Sequence, residues 1–211
     1  MEFITSLLIV LGVILASMTL HEAMHGFIAF WLGDDTAKRE GRLTLNPIKH
    51  LDPFLSLILP LGLFLVGAPV FGGAKPVPFN PDRVKGGEWG AALVAVAGPL
   101  TNLIIAFVAF GLWAVLGTPS AASLGGQILI TTIQVNLGFF IFNMIPLPPL
   151  DGSRVIYAVA PEFVRTGMRA IERYGIIFVF AIVILFSGQI GTLIVTIMTF
   201  FLEAFQTIFR I

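Results

Sequence analysis

The chain contains no cysteine. Disulfides, thiolate metal sites and a cysteine nucleophile are therefore excluded. Any metal or catalytic centre must be built from His, Asp, Glu and main-chain groups. Charge is scarce as well: 11% of the 211 residues are Asp, Glu, Lys or Arg, against about 25% in an ordinary soluble domain. That shortage argues against a soluble enzyme, and more strongly against a disordered or nucleic-acid-binding chain. Neither sign is in excess, since 12 basic residues balance 12 acidic ones, so net charge points to no partner. What the chain has in abundance is apolar surface, with 57% hydrophobic residues. The solvent that suits this composition is a lipid bilayer.

A spanning helix needs roughly 20 mostly apolar residues. Such runs cover residues 3–31, 51–70, 89–116 and 124–144, and two more, 175–186 and 190–209, are split by Ser187-Gly188-Gln189. The first run has no positive leader and no small-residue cleavage site, so it is expected to be mature structure. The second contains Pro53, Pro60, Gly62, Gly67 and Pro69. The intervals are short. Alternation around Arg42-Leu43-Thr44-Leu45 suggests a short β segment, whose edge could pair with an extended substrate. Residues 71–85 read as an irregular loop. Residues 152–174 are amphipathic, with Arg165, Arg169 and Arg173 recurring every four. Residues 162–174 form either an interfacial basic helix or a solvated linker helix. One polytopic membrane domain over residues 1–211 is the simplest organisation.

Within the first run lies His21-Glu22-Ala23-Met24-His25, an H-E-x-x-H motif. Two His four apart share a helix face and can reach one ion, with the intervening Glu beside it. Imidazole suits zinc. The alternative is a chance pair of solvated side chains. Ionisable groups inside a membrane helix are costly, however, which favours function. A hydrolytic zinc site needs a third ligand and an open position. His50 is one candidate and Asp151 another. Asp151 follows Pro146, Pro148 and Pro149, which prevent a regular helix. It either completes a two-His, one-Asp site or caps the helix that starts after it.

Three segments together resemble the site-2 protease family of intramembrane zinc metalloproteases. They are His21-Glu22-Ala23-Met24-His25, Gly98-Pro99-Leu100-Thr101-Asn102, and Asn143-Met144-Ile145-Pro146 followed by Leu150-Asp151-Gly152. The flanking Gly41-Arg42-Leu43-Thr44-Leu45-Asn46-Pro47 and Gly73-Ala74-Lys75-Pro76-Val77-Pro78 are similar to its short prokaryotic branch, without a PDZ or CBS domain. The resemblance implies one zinc ion held by His21, His25 and Asp151, with Glu22 as catalytic base. It implies a transmembrane protein as substrate. Asn102 and Asn143 then face the site, where each either contacts substrate or an oxyanion or joins helices by hydrogen bonds. Two rival classes are a metal transporter and a non-catalytic binding relative. The nearly all-apolar stretch 3–16 offers a transporter no continuing polar path.

The ligands also constrain topology. His21 lies near the end of the first run and Asp151 follows the fourth, so the two runs should point the same way. That is met if residues 51–70 form a re-entrant hairpin rather than a crossing. Residues 34–50, 68–89, 151–174 and the C-terminus then share one side, which holds all 12 Lys and Arg. The positive-inside rule makes that side cytoplasmic. The expected fold is thus an all-α integral membrane protein in the cell membrane. It has about five transmembrane helices, a re-entrant hairpin and a short cytoplasmic-side β segment. The N-terminus is external, the C-terminus cytoplasmic and the zinc site toward the cytoplasm. The last two helices could gate access, with Gly175 as a hinge.

Overall fold

The computed structural model describes residues 2–58, 61–62, 65 and 74–211. All regular structure among them is helical. The long elements are α1 (Glu2–Trp31), α3 (Gly87–Val115), α4 (Leu124–Asn143) and α8 (Ser187–Phe209). Each is long and apolar enough to cross a membrane. Four shorter α-helices accompany them, α2 (Thr36–Arg39), α5 (Gly152–Val159), α6 (Glu162–Glu172) and α7 (Gly175–Leu185), with short 3-10 or π turns at Pro47–Lys49, Pro53–Ile58 and Pro81–Arg83. At 11 residues, α7 is about 16 Å long, roughly half the hydrocarbon thickness. Of the re-entrant hairpin expected over 51–70, residues 59–60, 63–64 and 66–70 lie outside the described residues.

Helices α1, α3 and α4 pack against one another. Their directions follow from polar pairs that cross between them. Ser6 pairs with Gln127, and Ser17 with Asn136, so α1 and α4 run parallel, as the ligand positions require. His25 meets Val94 while the earlier His21 meets Asn102, so α3 runs antiparallel to α1. Small residues make the α1–α3 approach close: Ala91, Ala95 and Gly98 are buried along one stripe of α3. In lipid, where apolar contact alone does not drive association, small residues let backbones approach and polar groups join them. An aromatic cluster ties α8 to the other end of α3, with Phe107 and Phe205 edge to face at 5.2 Å.

The stretch between α1 and α3 leaves and returns at one end of the bundle. Lys85 N–H donates to Leu32 O at 2.8 Å. Asp34, fully buried, ties the same ends: Oδ1 accepts from the Thr36 N–H at 3.0 Å and hydroxyl at 2.5 Å, and Oδ2 from Asn80 N–H at 2.6 Å. Burial disfavours its charge. The hydrogen bonds and the Arg83 guanidinium outweigh that and hold the carboxyl below its ordinary value. Its contribution to stability is therefore complete above the unfolded value, about 3.9, and lost as pH falls through the lower folded value. Asp34→Ala orphans two main-chain donors and is expected to cost about 2–3 kcal/mol, read by unfolding in detergent. Asp34→Asn should remove its share of the acid-side loss.

The β segment expected near Arg42 does not form: residues 42–45 are irregular, and no strand occurs among the described residues. Arg42 is buried and donates to Lys75 O at 2.7 Å. The Thr44 carbonyl is met by His50 Nε2 at 2.8 Å. Two arginines of α6 bond back to α5. Arg165 donates to the Tyr157 and Ala158 carbonyls at 3.0 and 3.1 Å, closing the C-terminus of α5, and Arg169 bonds the Tyr157 hydroxyl at 2.8 Å. Of the three arginines spaced every four residues, Arg165 is half-buried, while Arg169 and Arg173 are exposed.

Candidate metal centre

The H-E-x-x-H spacing works as geometry on α1. His21 and His25 are both 8% exposed, stacked one turn apart, with their Nε2 atoms 3.0 Å from each other. Each ring turns its Nδ1 outward to an acceptor. His25 Nδ1 lies 2.7 Å from Val94 O, and His21 Nδ1 lies 2.6 Å from Asn102 Oδ1. Both Nδ1 atoms are therefore donors. In the neutral rings both Nε2 atoms then carry the lone pair, and they point inward at the same place.

Asp151 completes the cluster. Its Oδ2 is 3.2 Å from His21 Nε2 and 3.5 Å from His25 Nε2. It stands at the start of α5, yet its carboxylate makes no capping bond there. The capping alternative is thereby removed. Two close approaches of backbone position the groups. A Cβ at Gly152 would lie 2.9 Å from Met144 Cα and closer to that residue's carbonyl, so α5 can begin against the end of α4 only with glycine. A Cβ at Gly98 would lie 2.6 Å from His21 Nε2 and collide with His25 Nε2 as well. Gly98 keeps open the space where the two rings converge.

Three lone-pair donors facing one another at this range repel unless a cation or a proton lies among them. Two imidazole nitrogens and a carboxylate oxygen, all within 4.8 Å of one another, are a donor set that suits zinc. His21, His25 and Asp151 are the one such group among the described residues. The residues present therefore fit the ion. The ligand side chains are 10% exposed for the histidines and 21% for Asp151, so the opening lies on the Asp151 side.

Glu22 is half-buried, and its Oε2 accepts the Val77 N–H at 2.7 Å. Pro76 and Pro78 flank Val77 and hold the chain extended. That leaves its N–H to serve the carboxylate. The other expected residues fare differently. Asn102 is fully buried with both ends of its amide engaged, Oδ1 on His21 and Nδ2 on Asn136 at 2.9 Å. These bonds join α1, α3 and α4. Asn143 donates to Phe139 O, one turn back in its own helix, at 3.0 Å. No hydrogen bond links it to the histidines among the described residues. His50 is buried in the loop and stands outside the cluster. Val77, Asn136 and Gly98 take part in the site by contacts between distant segments, which no local spacing reveals. Gly98 alone carried a signal, as part of a motif.

No protein-family model matches the chain, and no solved structure does. Curated proteins do. YwhC of Bacillus subtilis, provisionally named a zinc metalloprotease, is 41% identical over 185 residues, covering 85% of this chain and 80% of that protein. Rip2 of Mycolicibacterium smegmatis, named in the same way, is 33% identical over 156 residues, covering 72% of this chain and 57% of Rip2. MJ0611 of Methanocaldococcus jannaschii, again so named, is 38% identical over 100 residues, covering 47% of this chain and 50% of MJ0611. With a donor set that fits zinc and this similarity over most of YwhC, the chain belongs to the zinc metalloprotease family.

Proposed function

We propose that the protein is an intramembrane zinc endopeptidase of the site-2 protease type, hydrolysing peptide bonds in or near transmembrane helices of membrane-protein substrates. The observation that carries this reading is the inward convergence of His21 Nε2, His25 Nε2 and the Asp151 carboxylate within a bundle of membrane-length helices. His21, His25 and Asp151 would hold the ion. Zinc bound there supplies a Lewis acid for the scissile carbonyl and lowers the pKa of water toward roughly 7.

The chain's own residues supply the rest. Glu22 is the general base: with Oε2 engaged by Val77, Oε1 is left to take a proton from water and return it to the leaving amine. Asn102 and Val94 hold the imidazoles in place through their Nδ1 atoms. A helical substrate has its carbonyls tied in i to i−4 bonds, so it must unwind locally before it can react.

In the proposed topology the N-terminus is external and all 12 basic residues lie on the cytoplasmic side with the C-terminus. That Leu32 and Lys85 meet supports it, since the stretch between them makes no net crossing. Four of the five proposed crossings are the long helices α1, α3, α4 and α8; the fifth would fall to α7, whose 11 residues cover about half the hydrocarbon thickness.

The test uses the protein reconstituted in liposomes with zinc and a tagged single-span membrane protein. Cleavage that a chelator stops and added zinc restores is expected. Zinc flux without cleavage would instead indicate a transporter, and neither flux nor cleavage with intact zinc binding a non-catalytic relative.

A further inference from the structure

Asn136 belongs to none of the motifs, yet it is fully buried beside the metal centre on α4. Its hydrogen bonds can be assigned outward from one fixed point. A main-chain carbonyl only accepts. The Asn136 atom 2.9 Å from Thr132 O is therefore the amide nitrogen, which also lies 2.8 Å from Ser17 Oγ. Asn136 Oδ1 must then face Asn102, and only Asn102 Nδ2, at 2.9 Å, can donate to it. That orients the second amide as well and turns Asn102 Oδ1 toward His21 Nδ1 at 2.6 Å. An amide oxygen only accepts, so the ring proton sits on Nδ1 and the lone pair on Nε2.

We propose that Asn136 is a positioning residue that, through Asn102, holds His21 in the Nδ1–H tautomer and so keeps Nε2 available to a divalent cation. Asn102 alone is not enough. A carboxamide presents an acceptor one way round and a donor the other. Without Asn136 it can turn over, offer Nδ2 to His21 and move the ring proton to Nε2. His25 needs no such relay, because Val94 O acts on it directly and only as an acceptor. The two ligands of one motif are thus set by different devices.

Only the affinity half of the test rests on the zinc reading. Ring nitrogen shifts of 15N-histidine in the zinc-free protein, at alkaline pH in micelles, report which nitrogen is protonated. Wild type should show Nδ1–H for both His21 and His25. In Asn136→Leu the His21 signal should move toward Nε2–H while His25 stays. General loosening would not spare His25. Zinc affinity of Asn136→Leu, by chelator competition, should fall by about 10-fold to 100-fold. With Asn102→Asp in place, a group with no donor to present, Asn136→Leu should cost no affinity. An Nε2–H His21 in wild type would overturn the proposal even if the variants fail to fold. So would an unchanged tautomer in Asn136→Leu, or an equal loss of affinity in both backgrounds. A wild type that binds no zinc would remove the zinc reading and leave the tautomer result to decide the relay.

Discussion

Glu22→Gln is expected to lower cleavage of a membrane-protein substrate by about 10²-fold to 10⁴-fold while leaving zinc at one ion per chain. The amide keeps the shape of the side chain, and its oxygen can still accept the Val77 N–H that Oε2 accepts in wild type. The ligand cluster does not include Glu22. Fold and metal content should therefore survive, and only the capacity to take a proton is lost. Paired measurements of zinc content and cleavage rate in one preparation read this directly. Substantial cleavage by the variant would remove Glu22 as the base. Loss of zinc along with activity would mean that the carboxylate supports the ion rather than the proton transfer.

Gly98→Ala should have an effect of similar size by a different route. In a helix interior alanine is favoured over glycine by roughly 1 kcal/mol, so propensity alone predicts a more stable protein. Here the added methyl would lie 2.6 Å from His21 Nε2. Either α3 must move away from α1, breaking the bonds from His21 to Asn102 and from His25 to Val94, or the imidazoles must swing out. Zinc content is expected to fall below about a tenth of wild type, in line with outer-shell losses of up to 100-fold, and cleavage with it. Overpacking should cost a further 1–3 kcal/mol or so. Gly138→Ala on α4 is the matched control, since a Cβ there meets nothing within 4 Å. It should retain zinc and gain slightly in stability. Equal behaviour of the two variants would show that the Gly98 space is not used.

The sequence revealed the site where chemistry follows from local spacing. His21 and His25 share a face because the helix repeats every 3.6 residues. Asp151 stood out because prolines interrupt the helix before it. The long helices were legible because an apolar run of spanning length has few other uses in a chain with so little charge. What escaped depends on partners far along the chain. Val77 meets Glu22 across 55 residues and Asn136 meets Ser17 across 119, and neither has a local signature. Asn143 shows the converse: a polar residue in a recognisable motif whose amide hydrogen-bonds within its own helix. At residues 42–45 the alternating sequence suggests a strand, whereas the chain there is irregular, with Arg42 reaching inward to Lys75 and His50 on the Thr44 carbonyl. Here the charged Arg42 is the buried residue and Leu45 is exposed, so the alternation reports neither burial nor a neighbouring strand.

The main-chain bond between Leu32 and Lys85 has a consequence for how this protein can vary. Entry and exit of the intervening stretch are one hydrogen bond apart, and the carboxylate of Asp34 clasps the same neck. Everything beyond that neck is an excursion from a junction whose geometry is already closed. Lengthening it costs only about 0.6 kcal/mol per doubling of the loop and requires no re-threading of α1 against α3. The catalytic helices could therefore stay in register while this one insertion diverges in length and composition, provided that Val77 still returns to Glu22.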